Sequence, residues 1–414
     1  MKKTIALLLC LCMLACLFVG CASTSTTEQQ TSETTTTTEN TTTEAAASES
    51  GNKVLKIGIF EPLTGDNGAG GKQEVLGIQY ANSVKPTVTI NGEEYKIELD
   101  IQDNQSSTDK AVSAAQQLVA DKVSVVLGSY GSGVSIAASD TFKNANVPAI
   151  GVTCTNPAVT AGNTHYFRAC FIDSFQGPVL ANHAYNNLKA KKAYCLSKLG
   201  DDYSGGLVSY FTQQFEKLGG EVVKAEFPEG NSDFTSYIAN AVKEGCEVFY
   251  SPISIEAAQL VINQAASQGM KMPILAGDTW DSNVVLEAAK GTDVTIDVTT
   301  FYADGTNAEF EKGIKEWINA DSTNLKNNGG NDTLAAVSVM GYDAYMLALE
   351  GLKAAGSTDP EAVMKALPSV SYDGITGNIT FDENGDAKVK TAYVKTVDTK
   401  TGTWVGGGSV TMDE

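Results

Sequence analysis

From Val54 onward, short apolar runs alternate with stretches in which apolar residues recur at helical spacing. The apolar runs predict strands over Val54–Phe60, Ile97–Gln102, Val123–Gly128, Val147–Val152, Ala193–Ser197, Glu221–Phe227, Glu247–Ser251, Pro273–Ala276 and Val294–Thr300. Most are near-continuous in Val, Ile, Leu or Ala, the pattern of strands covered on both faces. Between them the period changes. Across Thr108–Asp121, Ala111, Ala115 and Leu118 share one face with Val112 and Val119 beside them, and Thr108 is placed to cap the helix. Ala257, Leu260, Val261 and Ala265 repeat the pattern across Glu256–Gln268. Strands alternating with helices predict an α/β fold with parallel sheets built of βαβ units.

The alternation restarts near Phe171–Asp173, where a long helix, Ser174–Leu188, opens a second series. After Phe301 come helical stretches at Glu309–Ala320, Asp332–Ala355 and Pro360–Leu367, then a β-rich tail over Gly377–Val397. A folded part of roughly 360 residues exceeds one compact core. Two doubly wound lobes accommodate it: residues 54–172 with 302–371, and residues 173–301 with 372–414. No internal repeat is visible.

The N-terminus has another character. Lys2 and Lys3 precede an apolar stretch, Ile5–Val19, then Gly20 and Cys21. This is the layout of an export signal over residues 1–20. Cys21 after a small residue reads as a lipidation site. Phe18 stands where the lipoprotein pattern prefers Leu, and Cys16, after Leu14 and Ala15, is a second candidate. An ordinary secretory signal is the alternative. The apolar run is shorter than the ~20 residues a membrane span needs. Ala22–Ser50 is almost wholly Thr, Ser, Glu, Gln, Asn and Ala. It cannot bury enough apolar surface to offset the entropy of ordering, so residues 21–53 read as a flexible tether with an r.m.s. reach of roughly 30 Å.

Charge narrows the partners. The chain carries a formal net charge of −20, made two units more negative by loss of Lys2 and Lys3. An acidic surface without a basic run argues against nucleic acid and against adhesion to anionic lipid. Four of eight cysteines lie at or before Cys21; Cys154, Cys170, Cys195 and Cys246 form no C-x-x-C pair and sit in apolar contexts. Buried free thiols are the simplest reading, with a Cys154–Cys170 disulfide left open. His165 and His183 have no ligand-like spacing, so neither a metal nor another cofactor is expected.

Open parallel sheets bind ligands beyond the carboxyl ends of their strands. After the first strand, Gly65 to Lys72 resembles a phosphate loop only superficially, because Asp66 and Gln73 replace required residues. After Val123–Leu127 comes Gly128-Ser129-Tyr130-Gly131-Ser132-Gly133, opening a helix. Its glycines allow close backbone approach, and its free N–H groups and the Ser132 hydroxyl suit a carboxylate. Tyr130 and Val134 stand where a nucleophile elbow needs glycine. After Val147–Val152, Thr153 and Thr155 can bracket an α-ammonium and α-carboxylate, or form a polar turn ending at Pro157. Gly200 to Gly206, including Tyr203, opens another helix. After Pro273–Ala276, Asp278 offers a carboxylate for a cation and Trp280 an aromatic wall, with Asp281 the better helix cap.

In order, these stretches resemble the branched-chain amino acid type of bacterial ABC-transporter substrate-binding proteins, from about Val54 to Val397. The resemblance is carried by KIGIFEPLTG, DKAVSAAQQLVADKVSVVLG, GSYGSG, TNPAVT, YFRACFIDSFQG, DDYSGGL, SDFTSYI, GDTWDS and GITGNITFDENGD. It implies a type I periplasmic binding protein fold, two Rossmann-like lobes joined by three crossings. It implies that Ser132, Thr153 and Thr155, with the Ser129–Gly131 loop, hold a ligand's carboxylate and ammonium from lobe one. Tyr203 and Asp278 would close from lobe two, Asp278 taking the ammonium. Two departures stand out: Gly70 occupies a position where an aromatic often sits, and Ser251-Pro252-Ile253-Ser254 lacks the aromatic common there. The implied function is non-enzymatic: a monomeric, lipid-anchored protein on the outer face of the cell membrane that captures an amino acid or similar metabolite for an ABC permease. A sensing lobe pair for a signalling partner and an extracellular hydrolase are the competing readings.

Overall fold

The computed structural model describes residues 53–389 and 391–411. The expected signal, Cys21 and the tether up to residue 52 lie outside the described residues.

In chain order the first series is β1 (Lys53–Glu61), α1 (Gly68–Val84), β2 (Thr87–Ile90), β3 (Glu93–Asp103), α2 (Thr108–Ala120), β4 (Val125–Leu127), α3 (Ser132–Asn144), β5 (Ala149–Gly151) and β6 (Tyr166–Arg168). The second is α4 (Asp173–Asn182), β7 (Lys192–Lys198), α5 (Asp202–Lys217), β8 (Glu221–Phe227), α6 (Thr235–Lys243), β9 (Val248–Tyr250), α7 (Ile255–Ser267), β10 (Ile274–Ala276), α8 (Asn283–Ala289) and β11 (Ile296–Thr300). Then follow α9 (Ala308–Asn319), α10 (Ser322–Asn327), α11 (Ala336–Ala355), α12 (Pro360–Ala366), β12 (Ser371–Gly374), β13 (Gly377–Thr380), β14 (Thr391–Asp398) and β15 (Thr403–Thr411).

The first sheet has the order β2-β3-β1-β4-β5-β6 and is parallel except for β2. Ile57 of β1 pairs with Leu99 on one side and Val125 on the other. The second sheet has the order β15-β14-β11-β10-β9-β7-β8, with β14 and β15 antiparallel at one edge. Both are doubly wound: cores form on each face, around Ile59, Leu127 and Val339 or Phe60, Leu118 and Phe142 in lobe one. In lobe two they form around Ile262, Ile274 and Trp280 or Leu207, Phe211 and Tyr250. This is the two-lobed type I periplasmic binding protein fold.

β1 and β7 to β11 match the apolar runs closely, Glu221–Phe227 to the residue, whereas β3 begins at Glu93, four residues before the run expected from Ile97. β2 and β6 escape a periodicity reading because each is very short; β6 also contains Arg168. That arginine is fully buried, its charge held by Asp386 at 2.7 Å and by the Cys154 and Asn156 carbonyls at 2.9 Å each. Ser107, not Thr108, occupies the N-cap of α2, and Thr108 is its first helical residue. The helix expected over Asp332–Ala355 starts at Ala336. All four described cysteines are buried free thiols, so Cys154 and Cys170 are not joined.

The chain passes between lobes at three places. Two lie side by side, where the Phe171 and Phe301 rings meet at 4.3 Å. The third falls after Ala387 rather than at residue 372. The β12–β13 hairpin stays with the first core through Ile379, and Asp343 of α11 accepts bonds from Ile375 N at 2.9 Å and Thr376 N at 2.8 Å. Thr391 then opens the antiparallel edge of the second sheet.

Candidate ligand cleft

The carboxyl ends of β1, β4 and β5 face those of β7, β9 and β10 across the interlobe cleft. On the lobe-one side, α3 begins at Ser132, so its free first-turn N–H groups and positive end lie beside the Ser132 hydroxyl. Ser132 Oγ accepts from Asn156 N at 3.2 Å. The Thr155 hydroxyl is buried beside the Asp173 carboxyl, which burial raises and the Thr155 hydrogen bond lowers. On the lobe-two side, Asp278 opens the turn after β10 and is 1% exposed. Its Oδ1 accepts from Gln176 Nε2 at 2.6 Å and from the Tyr203 hydroxyl at 2.9 Å. Burial pushes its carboxyl up to about 6, against the lowering effect of those two donors.

Thr153 and Ser129 are engaged otherwise. Thr153 donates to Glu74 Oε2 at 2.5 Å. Ser129 Oγ accepts from Asn104 Nδ2 at 2.9 Å and Gly131 N at 3.4 Å. Gly131 is the N-cap of α3. Trp280 is no wall of the cleft: it packs in the second core, and its indole N–H donates to the Ile253 carbonyl at 3.0 Å. Asp281 does not cap α8. Ser282 does, accepting from Val284 N at 3.3 Å. Asp281 instead meets Lys395 Nζ at 3.0 Å and the Thr300 hydroxyl at 2.5 Å, all buried.

The structure adds residues that periodicity did not single out. Glu61 closes β1 and Glu74 lies on the buried face of α1; both are fully buried. Glu61 Oε2 accepts from Tyr130 N at 2.8 Å. Burial raises both carboxyls, Glu74 to about 7 and Glu61 well above the carboxylate range; the Glu74 charge raises Glu61 further. The two carboxyls interact and titrate as a pair. Gln176, on α4, orients Asp278 from both directions, since its Oε1 accepts from Asp278 N at 3.3 Å. The one sequence cue was the acids themselves: Glu61 ends an apolar strand and Glu74 interrupts a run of small and apolar helix positions.

Polar bonds join the lobes, among them Lys198 to Asp66 at 2.8 Å, the Tyr130 hydroxyl to the Thr279 carbonyl at 3.2 Å, Asn156 Nδ2 to the Asp202 carbonyl at 2.6 Å, the Ser282 hydroxyl to Gln73 Oε1 at 3.2 Å, and Asn283 Nδ2 to the Asn328 and Thr333 carbonyls. A cavity of about 110 Å³ remains, lined by Asn67, Tyr130, Gly131, Ser132 and Tyr203 among others. Ser132 has no histidine beside it: His165 adjoins Thr164, and His183 bonds Asp297 at 3.0 Å in lobe two. Ser132 and the α3 N-terminus border this cavity from lobe one and Tyr203, bonded to Asp278, from lobe two; Asp278 and Thr155 themselves are not among its lining residues.

Comparison with known proteins agrees with this fold. A periplasmic binding protein family model matches residues 54–403. The Leu/Ile/Val-binding protein homolog 1 of Brucella abortus is 32% identical over 338 residues, covering 80% of this chain and 87% of that protein. Among solved structures, the leucine binding protein LivK of Thermotoga maritima superposes with a TM-score of 0.75 at 32% identity, covering 86% of this chain and 99% of that one. The branched-chain amino acid substrate binding protein LivJ of Streptococcus pneumoniae, in complex with isoleucine, gives 0.75 at 26% identity, covering 87% and 100%. A benzoate-bound solute binding protein from R. palustris shares the fold at 0.73, at 21% identity over 87% of this chain and 98% of that one. The chain belongs to the periplasmic binding protein family and is a substrate-binding protein of its leucine-binding branch. Its relatives are solute-binding proteins, not enzymes.

Proposed function

We propose that the protein is a lipid-anchored receptor on the outer face of the cell membrane that captures an α-amino acid and delivers it to an ABC permease. One observation carries the ligand class. Ser132 and the α3 N-terminus border the cavity from lobe one, and Tyr203, which borders it from lobe two, bonds to the buried Asp278 carboxyl. A zwitterion satisfies both sides at once, its carboxylate on the donors and its ammonium on Asp278. Tyr203 and Gln176 brace Asp278 for that role. The family resemblance supports delivery to a permease, which reads the closed lobes.

Calorimetric titration with the common amino acids tests the reading. At least one should bind, and Asp278→Ala and Asp278→Asn should each weaken it by 100-fold or more, roughly the loss of a charge-assisted bond plus an uncompensated ammonium. Unfolding curves of the ligand-free variants should stay cooperative. Unchanged affinity in both variants would remove Asp278 from the site.

A further inference from the structure

The Tyr130 side chain lies inside the cleft, and the function just proposed leaves it without a role. It is 4% exposed. Its hydroxyl crosses to the Thr279 carbonyl, next to Asp278. Its backbone N–H is held by Glu61, and its loop ends at Ser132. Its ring lies over Gly70 of α1: a Cβ there would stand 2.5 Å from Tyr130 Cε2 and 2.7 Å from the hydroxyl. Glycine at residue 70 and tyrosine at 130 are therefore complementary, one vacating the volume the other fills.

Given the α-amino acid reading above, the ligand's Cα lies between Ser132 and Asp278. Tyr130 is bonded at one end to the loop that carries Ser132 and at the other to the residue after Asp278. Its ring thus occupies the space into which an apolar side chain would extend. What remains of the cavity has Pro62 and Val134 as its aliphatic borders; beside the tyrosines and glycines, the other lining residues are polar, among them Asp66, Asn67, Ser106, Lys198 and Asp201. A branched aliphatic side chain would have to displace the ring or face that rim, and both are unfavourable. We infer that Tyr130, seated on Gly70, is a size gauge that restricts this site to α-amino acids with short side chains, such as glycine, alanine and serine, and excludes leucine and isoleucine. Substitutions that shorten residue 130 reopen the aliphatic space. A pocket distinguishes one or two methylenes by about 10- to 200-fold, so the discrimination is measurable.

The test is calorimetric titration of glycine, alanine, serine, valine, leucine, isoleucine and phenylalanine against the wild type, Tyr130→Ala, Tyr130→Leu and Tyr130→Phe. The wild type should bind its best short ligand at least tenfold more tightly than leucine. Tyr130→Ala should move that ratio toward leucine by tenfold or more. Tyr130→Leu, which keeps an apolar side chain in the core, should shift it the same way and serves if the alanine variant fails to fold. Tyr130→Phe keeps the ring and should keep the ratio, with all affinities reduced together by loss of the interlobe bond. Leucine binding to the wild type as tightly as alanine overturns the gauge, as does an unchanged ratio in the foldable shortened variant. Absence of binding by every amino acid is a separate result that removes the functional reading on which the gauge rests.

Discussion

At the scale of single residues, the cleft is dominated by buried acids. Asp278 is faced by Glu74, Asp173 and Asp281 as well as by the Tyr130 and Tyr203 hydroxyls. Only its ionised form can balance a ligand ammonium. With its carboxyl pushed up to about 6, affinity should climb as pH rises through that value; at pH 5 it should be about tenfold weaker than on the neutral plateau. Titration calorimetry at several pH values reads this, and a flat profile would contradict it. The Glu61–Glu74 pair has the opposite consequence for the ligand-free fold. Both carboxyls are raised in the folded state, so the folded protein holds protons that the unfolded chain has released. The Glu74 contribution is complete below about pH 4.5 and is lost as pH rises through about 7, and the raised Glu61 adds one of the same sign. Glu74→Gln should flatten that part of the melting temperature profile.

At the scale of elements, two packing devices fix the geometry around the cleft. α1 lies against α11 so closely that a Cβ at Gly77 would overlap the Ser338 carbonyl, which sets where Gly70, Gln73 and Glu74 stand. β14 carries Lys395 into the second lobe, where it meets Asp281 at 3.0 Å and Asp304 at 3.4 Å with 2% of its side chain exposed. Removing one partner leaves the other charge buried. Lys395→Ala should therefore lower the unfolding free energy by about 3 kcal/mol, and adding Asp281→Leu should recover part of that loss. Urea denaturation of the two variants measures both; a loss below about 0.5 kcal/mol in the single variant would show the pair to be idle. The elements themselves were largely readable in the chain. Parallel strands covered on both faces must be apolar throughout, so β9 and β10 declare themselves. The three-residue β6 has too little length for a period, and the β12–β13 hairpin gives no sign of which lobe it joins.

At the scale of the whole molecule, the lobes meet through individual polar bonds, some part-buried, such as Lys198 to Asp66, and some buried, such as Ser282 to Gln73. Each contributes only about 0.5–1.5 kcal/mol. A ligand that bonds to both lobes adds to that set of bonds and so favours the closed arrangement. The proposed anchor belongs to this scale as well, since it would hold the protein at the membrane. Cys21→Ser should move the protein from the membrane fraction to the medium or soluble fraction, read by fractionation and immunoblotting. Retention in the membrane would refute anchoring through Cys21.

The amino-acid sequence on its own determined the α/β class, the two series of βα units and the loops that end their strands, because these follow from local periodicity and turn chemistry. It also marked Ser132, Thr155, Tyr203 and Asp278 as candidates through their place after strands. Tertiary structure decided what those candidates touch. Glu61 and Glu74 become an interacting pair only because α1 packs beside β1. Trp280 and Asp281 turn inward because lobe two offers them the Ile253 carbonyl and Lys395. Tyr130 fills the cleft only because Gly70, far away in the chain, leaves room for it. Such pairings depend on distance in space, which no local pattern of residues encodes.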